Sequence, residues 1–329
     1  MEREKIQAIV ERVLSRIDSG EMPATTSVPS APNGVFKTVT EAVGAATTAH
    51  QILVAVPLEK RREIIANIRS RCAENVNTLA TMAHEETGLG RVADKIKKNL
   101  LVIHKTPGCE ILQPNAWTGD SGLTLVERAP FGVIGSITPC TNPSETIICN
   151  GIGMIAGGNA AVFNTHPLAK KTSAYTVDLV NRASMEVGGP NNLLCCIESP
   201  TIASANELMK FPGVRMIVVT GGGEVVRAAM NSGKICIAAG PGNPPVVVDE
   251  TADIEAAAQG ITAGCSFDNN VICTDEKEVF VVESVADRFI DAMKANGCVQ
   301  LRNHQITRLE KLIMMPDGEH VNKKWVGRD

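Results

Sequence analysis

The sequence predicts an α/β protein built on a parallel sheet with helices on both faces. Three observations lead there. Between residues 132 and 248, short apolar runs alternate with stretches of helical period, the pattern of successive βαβ units. Hydrophobic residues make up 44% of the chain and aromatic ones only 3%, so the core filling such a fold is aliphatic. At roughly 150 residues per domain, the 329 residues leave room for a second α/β body after the sheet.

Residues 1–18 read as an amphipathic helix. Ile6, Ile9, Val10, Val13, Leu14 and Ile17 form one stripe at helical spacing, and charged residues cover the rest. Residues 19–34, rich in Ser, Thr, Pro, Gly and Ala, read as a flexible linker. A helix this short is marginal alone in water. Its stripe therefore needs a partner surface: its own body, a sister subunit or a groove on another protein. A mixed polar face without Trp or Phe makes a membrane surface the poorest of these partners.

The stretch 35–109 is mainly helical, with the apolar period running over 39–53 and 57–85 and Gly88 and Gly90 closing the second stretch. Residues 123–127 read as a strand. The alternation follows, with strands at 132–137, 159–163, 193–197, 214–219 and 235–239 and helices at 144–156, 168–187, 202–210 and 224–231. A last strand at 245–248 closes the series. Residues 35–248 thus form a first domain and residues 249–329 a second body, with a helix over 253–264 and a strand over 278–282. Right-handed crossovers place ligands at the carboxyl ends of the parallel strands.

Composition excludes several functions. With 36 acidic against 32 basic side chains, the formal charge is -4, and no basic block offers the face that nucleic acid requires. The 10 cysteines are irregularly spaced and include no C-x-x-C pair, which argues for a reduced, cytosolic setting and against a zinc ribbon or other metal site. No apolar run of about 18 residues predicts a membrane span, and no secretory signal opens the chain.

The candidate chemistry lies where strands turn into helices. The run from Thr220 through Gly221, Gly222 and Gly223 joins a strand to a helix, and glycine lets backbone amides at a helix N-terminus approach a phosphate. It lacks the third glycine of G-x-G-x-x-G, so a ligand-free tight turn stays open. The cluster after Ala239 and Gly240 has the same ambiguity. Asn142 followed by Pro143 and Glu145 reads as a helix N-cap with a capping box. Its amide at a strand's carboxyl end could equally donate to a developing oxyanion. Cys273 lies on a loop between helix and strand, a place for chemistry, while Cys149, Cys195, Cys196 and Cys236 sit in apolar runs. Cys140 and Cys265 remain its rivals.

Taken together these segments resemble the aldehyde dehydrogenase superfamily, and within it the coenzyme A-acylating aldehyde dehydrogenases of bacterial microcompartments. The resemblance rests on Thr138-Pro-Cys-Thr-Asn142-Pro143, Phe163-Asn164-Thr-His166-Pro167, Thr220-Gly-Gly-Gly-Glu224, Ala239-Gly-Pro-Gly-Asn-Pro-Pro245 and Ser266-Phe-Asp-Asn-Asn-Val-Ile-Cys273-Thr. Glu85-Glu86-Thr87-Gly88 and Thr106-Pro107-Gly108 resemble the acylating branch as well.

The resemblance implies an aldehyde dehydrogenase-like fold, with a Rossmann-type cofactor domain and the N-terminal part of a catalytic domain. It makes Cys273 the nucleophile and Asn142 the oxyanion-holding amide. Ile137, Thr138, Pro139, Asn164, His166, Pro167, Thr220, Gly221, Gly222, Gly223, Ala239 and Gly240 line the groove for NAD, or alternatively NADP. Hydrolytic members carry a glutamate base where this chain has Ala238, so the acceptor of the acyl group is expected to be coenzyme A rather than water. The substrate implied is a short aliphatic aldehyde such as propanal or acetaldehyde. Residues 1–18 then become an encapsulation helix that meets a shell protein or co-cargo in the microcompartment lumen, and a full-length chain is expected to form a homo-oligomer. Family members continue well past the nucleophile, so a second reading makes this chain catalytically incomplete, a cargo or assembly subunit. A third, a biosynthetic semialdehyde reductase, fits the leader and the Asn142-Pro143 context less well.

Overall fold

The computed structural model describes residues 32–240 and 242–328, so the expected helix of residues 1–18 and most of the 19–34 linker lie outside the described residues. Strand β1 (Val35–Phe36) leads into helix α1 (Val39–Val54), which Thr38 and Glu41 open with a reciprocal capping box. The stretch 57–85 is two helices, α2 (Leu58–Glu74) and α3 (Val76–Thr87). Asn75 interrupts it: its backbone sits at φ -100° and ψ 10°, and its amide donates back to the Arg71 carbonyl. Such local bonds let asparagine compete with the helix. Gly88 ends α3 at φ 66°, a conformation that favours glycine. Helix α4 (Val92–Lys105) and an antiparallel hairpin of β2 (Asn115–Gly119) and β3 (Gly122–Val126) follow.

The alternating region then runs β4 (Val133–Ile137), α5 (Pro143–Ala156), β5 (Ala160–Asn164), α6 (Lys170–Glu186), β6 (Leu194–Ile197), α7 (Ile202–Lys210), β7 (Val214–Thr220), α8 (Gly223–Met230) and β8 (Ile235–Ala239). These strands and β1 form one parallel sheet in the order β1-β6-β5-β4-β7-β8. The α/β class and the parallel sheet are as expected. The two-residue β1 is too short to stand out in the sequence, and it is held by its pairing with Cys196 and Ile197.

Strands β4 and β5 are buried along their whole length, as parallel strands covered on both faces are. Ile134, Phe163 and Leu194 pack into a core with α2, α5 and α6, while Val133, Val162 and Ile217 pack into a second core with α1 and α7. From β4 the chain steps to β5 and β6 on one side, then returns to β7 and β8 on the other. Loops leaving neighbouring strands in opposite directions open a crevice at the carboxyl ends, here between β4 and β7.

The strand expected to close this series does not join the sheet. β9 (Pro245–Val248) pairs in parallel with β10 (Glu278–Val281) in a separate two-stranded sheet. The intervening Gly-Pro-Gly-Asn-Pro segment explains the departure, because proline brings no N–H to a ladder. Helices α9 (Ile254–Ser266) and α10 (Glu283–Ala295) cover the small sheet, with Val248, Ile254, Ile261 and Phe289 forming its core. Helix α11 (Asn303–Ile313) follows. No helix among the described residues is long and apolar enough to cross a membrane.

Candidate active site

The predicted groove residues lie at the carboxyl ends of four adjacent strands. Ile137 ends β4, with Thr138 and Pro139 following it; Asn164 ends β5 ahead of His166 and Pro167; Thr220 ends β7 ahead of Gly221, Gly222 and Gly223; Ala239 ends β8 ahead of Gly240. The loops are stitched together, since Thr138 N–H donates to the Asn164 carbonyl at 3.4 Å and Gly221 N–H to the Ala239 carbonyl at 3.2 Å. Asn164 itself is turned into the protein: its amide donates to the Thr201 carbonyl and its Oδ1 accepts from Ser204 Oγ at 2.6 Å. His166 Nδ1 accepts from Leu168 N–H at 3.1 Å, so the neutral ring carries its proton on Nε2. Burial pushes this imidazole below the ordinary histidine range.

Two features of the groove call for a polar ligand. Among the described residues the hydroxyls of Thr138 and Thr165 are buried without a hydrogen-bond partner, a costly state unless something else satisfies them. At the start of α8 nothing stands within 4 Å of where a Cβ would project from Gly222 or Gly223, and the same holds at Gly240. Open ground over a helix N-terminus suits a phosphate.

Asn142 occupies the N-cap position of α5 with Pro143 at N1, yet its side chain makes no capping bond, and Glu145 does not complete a capping box. The capping expectation is therefore corrected. A cation from another element draws the amide away: Lys98 on α4 donates to Asn142 Oδ1 at 2.7 Å. Glu145 is likewise turned inward, only 4% exposed, with Lys98 at 3.6 Å and Asn99 Nδ2 at 3.3 Å.

Cys273 stands half-buried in a turn between α9 and β10. Immediately before it Asp268, Asn269 and Asn270 hold φ values of 47°, 55° and 56°. Only glycine, asparagine and aspartate visit this left-handed region readily, which accounts for the Asp-Asn-Asn spelling. Asp275 braces the turn by accepting from Ile272 N–H at 3.3 Å, and Lys277 Nζ donates to the Ile272 carbonyl at 2.9 Å. Burial pushes the Asp275 carboxyl above the usual range, although Ile272 N–H, Lys277 and Lys98 pull it back. From the other side Gly242 presses on the nucleophile candidate: a Cβ there would meet the Cys273 carbonyl oxygen at 2.1 Å. This brings the segment after Ala238 against Cys273. Burial pushes the thiols of the rivals Cys140 and Cys265 up, which leaves little thiolate on either at neutral pH.

Beneath the two loops lies a group of buried charges that sequence reasoning missed. Asp268, fully buried, is ion-paired with Lys98 Nζ at 2.6 Å and accepts from Lys95 Nζ at 3.2 Å and Arg91 N–H at 2.7 Å. Lys95 is fully buried and Lys98 nearly so. Burial and the neighbouring Lys98 push the Lys95 ammonium below the ordinary lysine range. Charged side chains are almost never buried unless paired, so in one sequence Lys95 and Lys98 read as the solvated face of a helix. Their partners lie more than 40 residues away, and no local spacing signals them. Glu86 has a simpler role: its carboxylate accepts from the backbone N–H groups of Lys171 and Thr172 at the start of α6.

Known proteins agree with this architecture. The profile of the Aldehyde dehydrogenase family matches residues 19–302. The acetylating acetaldehyde dehydrogenase EutE of Escherichia coli K12 is 46% identical over 334 residues, spanning 100% of this chain and 70% of that protein. The solved propionaldehyde dehydrogenase from the fucose utilisation bacterial microcompartment of Clostridium phytofermentans superposes with a TM-score of 0.86 at 49% identity, covering 90% of this chain and 68% of that one. The Rhodopseudomonas palustris propionaldehyde dehydrogenase, solved with coenzyme A bound and a cysteine acylated, gives a TM-score of 0.85 at 45% identity, covering 89% of this chain and 67% of that one. With most of its length matched by the family profile, and with a relative 46% identical over the matched length, the chain belongs to the aldehyde dehydrogenase family.

Proposed function

We propose that the chain oxidises a short aliphatic aldehyde, propanal or acetaldehyde, to its acyl-coenzyme A with NAD+, or alternatively NADP+. The Cys273 thiolate adds to the aldehyde carbonyl, forming a C–S bond and placing the negative charge on oxygen. The Asn142 amide and the backbone N–H of Cys273 hold that oxyanion. A nicotinamide dinucleotide held by the loops after β4, β5 and β7 would supply the acceptor for the hydride of the thiohemiacetal carbon, whose departure leaves Cys273 as a thioester. The unpartnered hydroxyls of Thr138 and Thr165 and the open start of α8 support a place for such a dinucleotide at the carboxyl ends of β4, β5 and β7. Coenzyme A then attacks the thioester as a thiolate, forming the product thioester and releasing Cys273.

The observation that carries the choice of acceptor is the segment 238–242, Ala-Ala-Gly-Pro-Gly, whose Gly242 presses on Cys273. It has no carboxylate to take a proton from water, so hydrolysis is unassisted from this side. A thiol ionises far more readily than water and needs less help. In this reading residues 35–248 bind the dinucleotide, residues 249–329 carry the nucleophile, and the protein assembles as a homo-oligomer. Residues 1–18 act as an encapsulation helix that binds a microcompartment shell protein or co-cargo through its apolar stripe. The test is NADH formation from propanal or acetaldehyde. It should require coenzyme A and vanish in Cys273→Ala; equal inertness of both chains would overturn the proposal.

A further inference from the structure

We infer that Lys98 is a positioning residue for the oxyanion-binding amide, one that sets which end of the Asn142 carboxamide meets the substrate and ties that amide to the nucleophile's loop. The inference rests on the proposed roles of Asn142 and Cys273. Lys98 Nζ lies 2.7 Å from Asn142 Oδ1. An ammonium has three donors and no acceptor, so only the carbonyl end of the amide can face it. The orientation of an asparagine amide is often ambiguous; here the chemistry of its partner settles it. With Oδ1 held by Lys98, Nδ2 must point away. One of its hydrogens reaches Thr141 Oγ1 at 3.1 Å, and the second is directed by the same constraint. A cation on the carbonyl oxygen also draws electron density from the amide nitrogen, which strengthens its N–H groups as donors.

The same ammonium is anchored on the nucleophile's side. Asp268 Oδ2 is ion-paired with Lys98 at 2.6 Å, and Asp268 opens the left-handed turn that leads to Cys273. Lys98 also reaches the Thr141 carbonyl at 3.4 Å and stands 3.6 Å from Glu145. A lysine this deeply buried between two loops from different elements is out of place as a surface charge. Its contacts join the loop after β4 to the turn after α9. Lys95 makes a parallel link, reaching Asp268 Oδ2 at 3.2 Å and the Thr141 carbonyl at 3.5 Å, but only Lys98 also holds the Asn142 amide, and an oxyanion donor works only within a few tenths of an ångström of its target.

Formation of the aldehyde adduct provides a test that needs neither cofactor nor turnover. The full chain is treated with iodoacetamide with and without propanal, and alkylation of Cys273 is followed by peptide mass spectrometry, which separates it from the other cysteines. Alkylation is a displacement that forms no oxyanion, so its rate without propanal should change less than about threefold in Lys98→Met. The propanal concentration that protects Cys273 should rise at least about tenfold in Lys98→Met and in Asn142→Ala. The double variant should be no worse than Asn142→Ala alone. Because Lys98→Met leaves Asp268 short of a partner, a second background pairs it with Asp268→Asn, and both are checked for cooperative melting. Unchanged protection in a folded Lys98 variant would overturn the inference, as would losses that multiply in the double variant. Coenzyme A-dependent NADH formation by the unsubstituted chain is measured alongside. If propanal protects Cys273 but no NADH forms, the proposed function fails while the role of Lys98 is still decided. If propanal does not protect Cys273 at all, both fail.

Discussion

Gly242→Ala is the sharpest probe of how the segment after β8 meets the nucleophile candidate. The added methyl group would stand 2.1 Å from the Cys273 carbonyl oxygen, whereas ordinary contact begins at 3.4 Å. One partner must therefore move by more than about 1 Å, and a displacement of that size at a reacting group costs about 10²-fold in rate, equivalent to about 2.7 kcal/mol of activation free energy. The oxygen belongs to the backbone of the turn, so it cannot yield by rotating a side chain. Gly242 lies on a loop outside the three apolar cores, so the melting temperature should shift little. The assay is kcat/KM for coenzyme A-dependent NADH formation from propanal, with the alkylation rate of Cys273 as an independent reporter of the turn. A folded variant retaining activity and alkylation within about threefold of the parent would refute the idea that this close approach sets the nucleophile's position.

Two further outcomes follow from the buried charges and the groove. Asp268→Asn tolerates the left-handed backbone but leaves Lys95 and Lys98 without their carboxylate, and unfolding in denaturant should show a loss of about 3 kcal/mol; a loss below about 1 kcal/mol would mean that water already screens the pair. Because burial lowers the folded-state pKa of His166, the unfolded chain binds more protons at pH values just below 6.5, and stability should rise with pH through that window. His166→Asn keeps an acceptor for Leu168 N–H but does not titrate, so denaturation curves across the window should lose that slope.

Much of this architecture is legible in one sequence, because its causes are local. The alternation of apolar strands and amphipathic helices between β4 and β8 follows from side-chain period, and parallel topology then places 137–142, 164–167, 220–223 and 239–240 at one end of one sheet. The loop between helix and strand that carries Cys273 is legible in the same way. Where local signals misled, a distant partner was decisive. Asn142, Pro143 and Glu145 spell a capping box, but Lys98 takes the amide and holds Glu145 inside. Pro245–Val248 has the composition of one more sheet strand, but its partner is β10. Lys95 and Lys98 carry no local sign of burial, and only the close approach of Asp268 offsets its cost. Backbone period and turn chemistry act within a few residues and are written in order along the chain. A buried charge depends on which opposite charge the fold brings within ion-pairing distance of it, and that pairing exists only once the tertiary structure has formed.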